Sequence, residues 1–448
     1  MIQLPQAFQT KMADLLGEEY DAFLHCFEHP GFRGIRWNPL KCNFSVLEES
    51  LPFSLRPSPF SPLSFYIPLE VERIGSLPLH HAGAFYVQEP SASSAVTVLD
   101  PQPGDRVLDL CAAPGGKSTQ IGALLKGEGL LWSNEYVKNR ATVLLSNIER
   151  MGIRNAVVSS SHPEPLCDRL SGFFDKVLVD APCSGEGMFL HDPGAVEAWS
   201  PEHVLSCAQR QGSILDSAAK AVAPEGILVY STCTYAKEEN EGVVTAFLER
   251  HPEFILIDSG VTFGRASETL PQTRRIFPMD GGDGHFVAKL QKTTGESYGG
   301  EWFVPRRNQS DAVQKQGKEL YHSLSKEKNC PTILEAGTYL YLLPEKLPDL
   351  TGLPILRAGV QFAVVKKNRL EPCHQFFTAA TAEELTAVCN LSSKEEMVLR
   401  YLRGEEIPCA PDLKGYAGVT VDGVTLGFGK CSSGKLKNHY PKGLRNHM

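Results

Sequence analysis

Two cysteines, Cys183 and Cys233, each follow a predicted strand downstream of a glycine-rich loop. The thiolate of a cysteine is a strong nucleophile that adds to electron-poor carbon atoms. Carbon 5 of cytosine is a poor nucleophile until a thiolate has added to carbon 6, so one cysteine can make carbon 5 accept a methyl group. A second cysteine can help to undo that addition. The pair therefore points to methyl transfer onto a pyrimidine base.

An acidic residue stands close to the first cysteine. Asp180 closes a predicted strand over 176–180, and the turn after it leads through a proline to Cys183. A predicted strand over 227–231 leads in the same way to Cys233. Ligands of open α/β sheets bind at the carboxyl ends of the strands, so both sulfur atoms face one cleft if these strands are neighbours. The other ten of the twelve cysteines fit the role of small buried side chains.

A candidate cofactor loop precedes both cysteines. A predicted strand over 106–110 runs into a turn rich in glycine and then into a helix over 117–125. Glycine lets the backbone approach a ligand closely, and a helix N-terminus offers unpaired N–H groups. Glu135 closes the next strand about twenty positions later, where a carboxylate can bind ribose hydroxyls in dinucleotides and S-adenosylmethionine alike. A nucleoside triphosphate loop would need glycine where Cys111 stands, which disfavours that alternative.

The elements that must position these residues alternate in type. The chain has 448 residues, more than one ordinary core, which predicts about two to four domains. Parallel βαβ units are expected from residue 105, with strands over 106–110, 130–134, 156–159, 176–180 and 227–231, and a long helix over 201–221. A hairpin of 254–258 and 285–290 would extend the sheet. We also expect helices within the first 30 residues, an irregular proline-rich segment over 52–68 and a helical piece over 382–403.

Composition narrows the class of protein. With 42% apolar and 21% charged residues the chain is typical of globular proteins. No apolar run approaches the roughly 20 residues of a membrane span, so we expect a cytoplasmic protein. The cysteines show neither zinc spacing nor a disulfide framework, and no metal is expected. The formal net charge of −8 argues mildly against a protein that coats nucleic acid through bulk positive charge.

Positive charge is concentrated in two groups of residues. The C-terminal stretch from Lys430 contains no acidic residue. Phosphate contacts could lie at either group, and an ordinary solvated face is an equal alternative for each. The first group is Lys435, Lys437, Lys442 and Arg445, and the second is Arg357, Lys366, Lys367 and Arg369.

Three motifs resemble those of one protein family. Residues 109–118 read DLCAAPGGKS, residues 180–187 read DAPCSGEG, and residues 231–234 read STCT. They resemble the Nol/Nop/Sun RNA cytosine-5 methyltransferases and, within these, the bacterial ribosomal small subunit methyltransferase F group. The resemblance covers residues 30–292 best. The stretch KNHYPKGLR at 437–445 is also similar to the end of that group's PUA-like RNA-binding module.

The resemblance implies an α/β fold with three parts. These are a Rossmann-like class I S-adenosylmethionine-dependent methyltransferase core with a mixed seven-stranded sheet, a small N-terminal domain and a C-terminal PUA-like RNA-binding region. The expected domains are 1–75 for N-terminal RNA recognition, 76–292 for catalysis, 293–380 for a linker and first C-terminal subdomain, and 381–448 for the PUA-like domain. The implied partner is RNA of the ribosomal small subunit or its precursor, and a monomer is expected.

The resemblance also implies roles for individual residues. Cys233 would be the nucleophile, Cys183 would be associated with release of the methylated product, and Asp180 would hydrogen-bond the cytosine ring nitrogen in its protonated form. Arg36 and Lys41, in a short basic motif, would contact phosphate, although a structural role fits each of them equally. The residues implied for binding S-adenosyl-L-methionine are Cys111, Ala112, Ala113, Pro114, Gly115, Gly116, Lys117, Glu135 and Asp180.

One position departs from the family pattern, and three rival functions stay open. Family members often carry Asp at the end of the third strand to meet the adenine amino group, but residues 159–162 read SSSH, so no residue is nominated for that contact. A DNA cytosine-5 methyltransferase would use the cysteine after proline, Cys183, as its nucleophile, and the sequence Thr232-Cys233 argues against it. The second rival is a methyltransferase that acts on transfer RNA, and the third is a non-catalytic ribosome-assembly factor.

Overall fold

The computed structural model describes residues 3–29, 31–304, 310–367 and 369–445. The N-terminal part consists of two helices followed by a small antiparallel sheet. The expected helices are confirmed, and they bury Phe8, Met12 and Phe23. The bounds are α1 Gln6–Leu16, α2 Tyr20–Cys26, β1 Gly34–Trp37, α3 Phe44–Ser50, β2 Arg56–Pro57, β3 Ser64–Tyr66, α4 Pro78–His81 and β4 Phe85–Val87.

The first sheet has the strand order β2-β3-β1-β4. The expectation of an irregular segment over 52–68 is wrong for β3, whose three residues are all buried and pair with β1. The prolines flank this strand, and Pro57 lies in the edge strand β2, where the missing N–H is tolerated. β4 lies beyond the expected domain boundary at 75 and pairs with the other side of β1. The boundary itself stays a prediction.

The central part alternates strands and helices as predicted. All five expected parallel strands form within one or two residues of the expected ends or as parts of longer strands, and the long helix forms over the expected residues. The bounds are α5 Ser94–Leu99, β5 Arg106–Asp109, α6 Gly116–Leu125, β6 Leu130–Asn134, α7 Lys138–Arg150, β7 Ala156–Ser159, α8 Pro163–Arg169, β8 Phe174–Asp180, α9 Pro193–Ala198, α10 Pro201–Ala221, β9 Val222–Thr232, α11 Glu241–Arg250, β10 Phe254–Ile257, β11 Arg274–Ile276 and β12 His285–Lys292.

Seven of these strands form a continuous mixed sheet in the order β10-β12-β9-β8-β5-β6-β7. The strands from β9 to β7 in that order are parallel, and the hairpin partners β12 and β10 are antiparallel, as expected. Both faces of the sheet are covered, because Val177 and Val179 pack in one apolar cluster while Leu178 packs in another. This explains the uninterrupted apolar runs of the parallel strands.

The C-terminal part contributes two small sheets and one strand to the central sheet. The strand orders of the small sheets are β13-β14-β16-β17 and β18-β20-β21-β22-β19. The bounds are α12 Asp311–Leu324, β13 Ile333–Ala336, β14 Tyr339–Leu342, β15 Ile355–Ala358, β16 Val360–Lys366, β17 Arg369–Pro372, α13 His374–Ala379, β18 Val388–Leu391, α14 Glu396–Leu402, β19 Ile407–Pro408, β20 Gly415–Val421, β21 Val424–Ser432 and β22 Lys435–Asn438.

Two features of this part differ from expectation. The helix predicted over 382–403 is wrong in its first half, because β18 pairs in parallel with β20 and only α14 is helical. β15 pairs antiparallel with β7, so that β15 and β11 bring the central sheet to nine strands within the described ranges. In those same ranges no helix has both the length and the apolar character to cross a membrane, and no cluster of three potential metal ligands occurs.

Candidate active site

The two cysteines singled out above lie side by side at the carboxyl edge of the central sheet. β8 and β9 are parallel neighbours, with Asp180 opposite Ser231, so the turns that carry Cys183 and Cys233 are adjacent. The two Sγ atoms are 3.2 Å apart. The backbone N–H of Cys233 donates a hydrogen bond of 3.4 Å to the sulfur of Cys183. The sequence-based expectation that these strands are neighbours is confirmed.

The surroundings of Cys183 disfavour its thiolate form. The hydrogen bond with Cys233 raises the pKa of the Cys183 thiol well above its ordinary value, and burial and the nearby charge of Glu239 raise it further. Either sulfur can be the donor in the bond between the two cysteines.

Glu239 ties the two cysteine turns together. Its carboxylate accepts hydrogen bonds from Ser184 N–H at 3.0 Å, from the Ser184 hydroxyl and from Gln211 Nε2 at 2.7 Å. Ser184 Oγ also lies 2.9 Å from Thr234 Oγ1, so one network spans the turn after β8 and the turn after β9. Glu239 is fully buried. Sequence reasoning missed it because residues 237–241 are typical of a charged surface.

Asp180 and Lys117 form an ion pair beside the cysteines. Asp180 Oδ2 accepts from Lys117 Nζ at 2.7 Å, and Oδ1 accepts from Ser231 Oγ at 2.8 Å. Burial acts to raise the pKa of Asp180, but the charge of Lys117 and these two hydrogen bonds together hold it below its ordinary value. The carboxylate is therefore ionised at neutral pH.

The glycine loop lies at the same edge, between β5 and α6. Gly115 has a φ of +114°, which side-chain-bearing residues rarely adopt. A Cβ on Gly116 would lie 2.9 Å from Nε2 of Gln88, so a side chain there would push against the amide that accepts a hydrogen bond from Arg36. The loop residues 111–117 therefore present backbone to the site, with the N-terminus of α6 directed toward it.

Two carboxylates flank this loop. Glu135 follows β6 and is nearly buried. Its Oε1 accepts from the N–H of Val137 at 2.8 Å, and its Oε2 makes a looser ion pair with Arg140 at 3.7 Å. Asp109 ends β5, and burial raises its pKa to about 7 against the effect of the Ser118 hydroxyl. Its Oδ1 has no hydrogen-bond partner among the described residues.

The end of the third parallel strand carries no acidic residue, and the structure shows what lies there instead. Asn134 Oδ1 accepts from Ser159 Oγ at 2.8 Å and from Ser161 N–H at 3.0 Å, so the serines brace the strand ends. Tyr136 is 65% exposed, and its ring meets the ring of His162 edge-on with centroids 5.5 Å apart. Sequence reasoning missed this exposed aromatic pair beside Glu135.

Arg36 does not reach solvent, so the expectation that it contacts RNA phosphate is wrong. Its side chain is fully buried. The guanidinium donates to Gln88 Oε1, to the carbonyl of Gly116 at 2.5 Å and to Thr119 Oγ1 at 2.5 Å. Burial is the largest influence on Arg36 and lowers its pKa to about 9. Arg36 therefore stabilises the first turn of α6 through these hydrogen bonds.

Lys41 is likewise buried, and the expectation of a phosphate contact is wrong for it as well. Its Nζ donates to the carbonyl of Thr378 at 2.5 Å and to the carbonyl and hydroxyl oxygens of Thr425 at 3.1 and 2.6 Å. Burial lowers its pKa to about 7, and Arg154 acts in the same direction. Lys41 thus joins the N-terminal part to the C-terminal part.

The C-terminal basic residues differ among themselves. Lys437 is exposed on β22, Lys442 is exposed beyond it, and Lys435 lies 3.3 Å from Glu406. Arg445 is half-buried, and its Nη2 lies 3.5 Å from the carbonyl of Tyr440.

The second basic group does not form one patch. Arg357 lies in β15 of the central sheet and pairs with Glu149 at 2.8 Å, with only 14% of its side chain exposed. Lys366, Lys367 and Arg369 lie instead at the turn between β16 and β17, where Arg369 pairs with Glu371 at 2.6 Å. The spacing in the sequence therefore does not correspond to proximity in the fold.

The fold resembles solved methyltransferase structures. A methyltransferase homologue from Pyrococcus horikoshii is 29% identical, with a TM-score of 0.58, and the match covers 65% of this chain and 96% of that chain. The fold also matches NSun6 from Pyrococcus horikoshii, solved with SFG, at 23% identity and a TM-score of 0.59, covering 65% of this chain and 99% of that chain. The expected Rossmann-like methyltransferase core is thereby confirmed.

Four family models match successive parts of the chain. The central match is described as 16S rRNA methyltransferase RsmB/F and spans residues 96–291. The others are the N-terminal domain of 16S rRNA methyltransferase RsmF over 4–90, the RsmF rRNA methyltransferase first C-terminal domain over 312–379, and the methyltransferase RsmF PUA domain over 390–446.

Relatives match the chain along nearly its whole length. Proteins named ribosomal RNA small subunit methyltransferase F are 31% identical in Vibrio vulnificus and 34% identical in Vibrio parahaemolyticus, each match covering 99% of this chain and 98% of the relative. The one from Escherichia coli is 32% identical, over 99% of this chain and 97% of the relative. By full-length identity and by the order of its domain matches, the chain belongs to the ribosomal RNA small subunit methyltransferase F family.

Proposed function

We propose that this chain is an RNA (cytosine-5) methyltransferase that transfers a methyl group from S-adenosyl-L-methionine to carbon 5 of a cytosine in small-subunit ribosomal RNA. One observation carries the proposal: the sulfur atoms of Cys183 and Cys233 lie 3.2 Å apart next to the ion pair of Asp180 and Lys117. Membership of the family supports ribosomal RNA as the substrate.

Cys233 is the nucleophile. Its sulfur forms a bond to carbon 6, the electrons of the 5,6 double bond make carbon 5 nucleophilic, and the proton that the Cys233 thiol gives up passes to the ring nitrogen. Asp180, held ionised by Lys117, accepts a hydrogen bond from that protonated nitrogen. Carbon 5 takes the methyl group and then loses its own proton. The bond between sulfur and carbon 6 breaks as the double bond re-forms, and the ring nitrogen returns its proton to the thiolate of Cys233.

Cys183 acts in the release step. Its sulfur lies 3.2 Å from that of Cys233, so it is close to carbon 5 of a base that is bonded to Cys233 through carbon 6. In its thiolate form Cys183 takes the proton from carbon 5, after which the bond to Cys233 breaks.

The cofactor residues are the loop 111–117 with Glu135 and Asp180. S-adenosyl-L-methionine would supply the methyl group as an electrophile. The site fits this cofactor, because the backbone at Gly115 and Gly116 is free of side chains and the buried Oδ1 of Asp109 has no partner among the described residues. The carboxylate of Asp180 adds negative charge that attracts a sulfonium group.

RNA contacts are assigned to the last sheet. Lys437 and Lys442 are exposed there, in the segment matched by the PUA domain model. Lys435 shares this surface, although Glu406 offsets part of its charge. The target base must leave its stack to reach the cysteines, which favours unpaired or easily opened RNA. We place the protein in the cytoplasm and expect it to act as a monomer.

Methyl transfer to defined RNAs tests the proposal. The full-length protein is incubated with S-adenosyl-L-methionine and, separately, with 16S ribosomal RNA, with small subunits and with transfer RNA, and bisulfite sequencing maps the modified positions. We expect new 5-methylcytosine in small-subunit RNA and none with Cys233→Ala. Modification of transfer RNA alone would contradict the ribosomal substrate. Binding of RNA and cofactor without any transfer would contradict the proposed activity and favour an assembly factor.

A further inference from the structure

A buried histidine, His285, lies in the active site. It is the first residue of β12, and because Phe286 pairs with Thr232 in the antiparallel register, His285 lies opposite the next residue, Cys233. Only 4% of His285 is exposed. Neither ring nitrogen makes a hydrogen bond of good geometry to a described residue, although the backbone of Gly284 lies close enough to affect the pKa of the ring. A buried ring in this state costs folding free energy unless it gains a better partner at another stage of function.

The backbone fixes this ring in place. Gly284 has a φ of +143°, and a Cβ there would lie 2.6 Å from the ring of Tyr235, so the chain can enter β12 only through glycine. On the other side, Ile276 of β11 pairs with His285 in the antiparallel register. Because the ring is also almost fully buried, the imidazole has little freedom to turn away from the site.

The carboxylate of Asp180 lies within reach of the ring. Nε2 of His285 lies 4.0 Å from Oδ1 of Asp180, about 1 Å beyond an ordinary hydrogen bond. Oδ1 accepts one bond, from Ser231, and a carboxylate oxygen has room for a second. A small rotation of the Asp180 side chain, 30% of which is exposed, would bring the two groups into contact.

We infer that His285 is a positioning residue for Asp180, whose Oδ1 accepts a hydrogen bond from Nε2–H of His285 when the target base is bound. The inference rests on the proposed function. Binding of the base rotates the Asp180 carboxylate slightly toward the pyrimidine ring, while Lys117 and Ser231 stay bonded to it. The donor at His285 then holds the carboxylate in its new orientation, and the imidazole gains a full hydrogen-bond partner.

The imidazole is neutral throughout the working pH range. Burial is the largest cause that lowers the pKa of His285 to about 3. Lys117 acts in the same direction, and Asp180 and the backbone of Gly284 oppose it. Among the described residues, Lys117 and Asp180 are the charged groups that act on the ring, Cys233 just after β9 is the titratable group beside it, and β11 contributes the apolar Ile276. A change in pH dependence on replacing His285 therefore reports on Asp180, since His285 itself does not titrate there.

Three substitutions test the inference. His285→Phe keeps a ring of similar size without a donor, His285→Gln places an amide N–H near the position of Nε2, and His285→Asn places one near the position of Nδ1. Single-turnover methyl transfer is measured at saturating S-adenosyl-L-methionine from about pH 5.5 to about pH 9. Cofactor binding and melting temperature are measured in parallel to show that each variant is folded.

We expect His285→Phe to slow transfer about 10- to 100-fold, the effect of one hydrogen bond to a charged group, with unchanged cofactor affinity. The loss of a donor to the carboxylate raises the pKa of Asp180, so the low-pH limb of activity moves to higher pH. His285→Gln should restore most of the rate and the position of the limb, and His285→Asn should not.

Two results would overturn the inference while leaving the proposed function intact. One is a wild-type rate and pH limb in His285→Phe. The other is an equal loss in all three variants, or a loss of RNA affinity without movement of the pH limb, which would make His285 a packing residue or a direct substrate contact. Absence of methyl transfer by the wild-type protein would instead overturn the proposed function.

Discussion

The sulfur of Cys183 accepts a hydrogen bond from the backbone N–H of Cys233 and lies 3.2 Å from the sulfur of the same residue. The two cysteines therefore constitute one hydrogen-bonded unit, held by the network around Glu239. The two sulfur atoms have different proposed roles, one as the nucleophile and the other in release. Replacing one and replacing the other should have opposite effects on the covalent intermediate.

Cys233→Ala should abolish methyl transfer, with a loss of at least about a thousandfold. The substitution removes the sulfur that adds to carbon 6, whereas the glycine loop and Glu135 are untouched. Cofactor affinity, measured by calorimetry, should equal that of the wild type. Residual activity near the wild-type level would assign the nucleophile to Cys183.

Cys183→Ala should accumulate a covalent complex with RNA, because the bond to carbon 6 forms but is not released. The complex would appear as a slowly migrating band in denaturing electrophoresis. The double variant, in which Cys233→Ala is added, is the matched control and should show no such band. If Cys183→Ala gives no band while Cys233 is intact, Cys183 has no part in release.

Lys117→Met should move the low-pH limb of activity to higher pH by about one to three units. Asp180 has a lowered pKa while Lys117 is paired with it, so its carboxylate persists as the pH falls. Without the cation its pKa rises, and the ionised form is lost nearer neutrality. Arg106→Met breaks the ion pair with Asp175 at the opposite edge of the sheet and should leave the limb in place. Coincident pH profiles for Lys117→Met and wild type would refute the role of this pair.

Arg36→Met and Lys437→Ala should have different effects, because Arg36 is buried and Lys437 is exposed. Loss of the three hydrogen bonds of Arg36 should lower the free energy of unfolding by about 3 kcal/mol, with no change in the salt dependence of RNA binding. Lys437→Ala should leave stability unchanged and reduce the slope of log affinity against log salt by about 0.7 to 0.9. A substitution at Lys437 is preferable to removal of the C-terminal segment, because the neighbouring Leu436 is fully buried and its loss would damage the core. A smaller salt slope in Arg36→Met would contradict the structure.

Lys41→Met should flatten the pH dependence of stability above neutrality. The pKa of Lys41 is about 7 in the folded protein and that of an unfolded lysine is about 10.4, so the unfolded chain binds more protons between these values. Wild-type stability therefore gains from this group as the pH rises through about 7, and loses it as the pH falls. The difference in melting temperature between wild type and variant should grow in favour of wild type from about pH 6 to about pH 9. A constant difference would contradict the lowered pKa.

The sequence was sufficient to predict the elements that carry the chemistry. Apolar runs such as 177–179 predict strands covered on both faces, and the position of a cysteine just beyond each strand end follows from the same pattern. The approach of the two sulfur atoms then depends only on β8 and β9 being neighbours. Local pattern and topology rules are enough for this part of the site.

The buried polar residues could not be predicted in this way. The partners of Arg36 lie up to 83 positions along the chain, and those of Lys41 lie 337 and 384 positions away. The sequence around a basic residue is the same whether its side chain contacts phosphate or a carbonyl from a distant part of the chain. Glu239 and His285 are hidden for a similar reason, because their burial depends on turns and strands that pack around them.

The strand β15 has a consequence for how the chain reaches its final form. It lies against β7, yet nearly two hundred residues separate β7 from β15 in the sequence. During synthesis, the N–H and C=O groups on the outer side of Ala156–Ser159 cannot pair with β15 until residue 358 has left the ribosome. A protein cut after residue 292 would keep that edge open permanently, and an open edge recruits strands from other molecules. The distant strand β15 therefore covers an edge of the central sheet that would otherwise be open to such pairing.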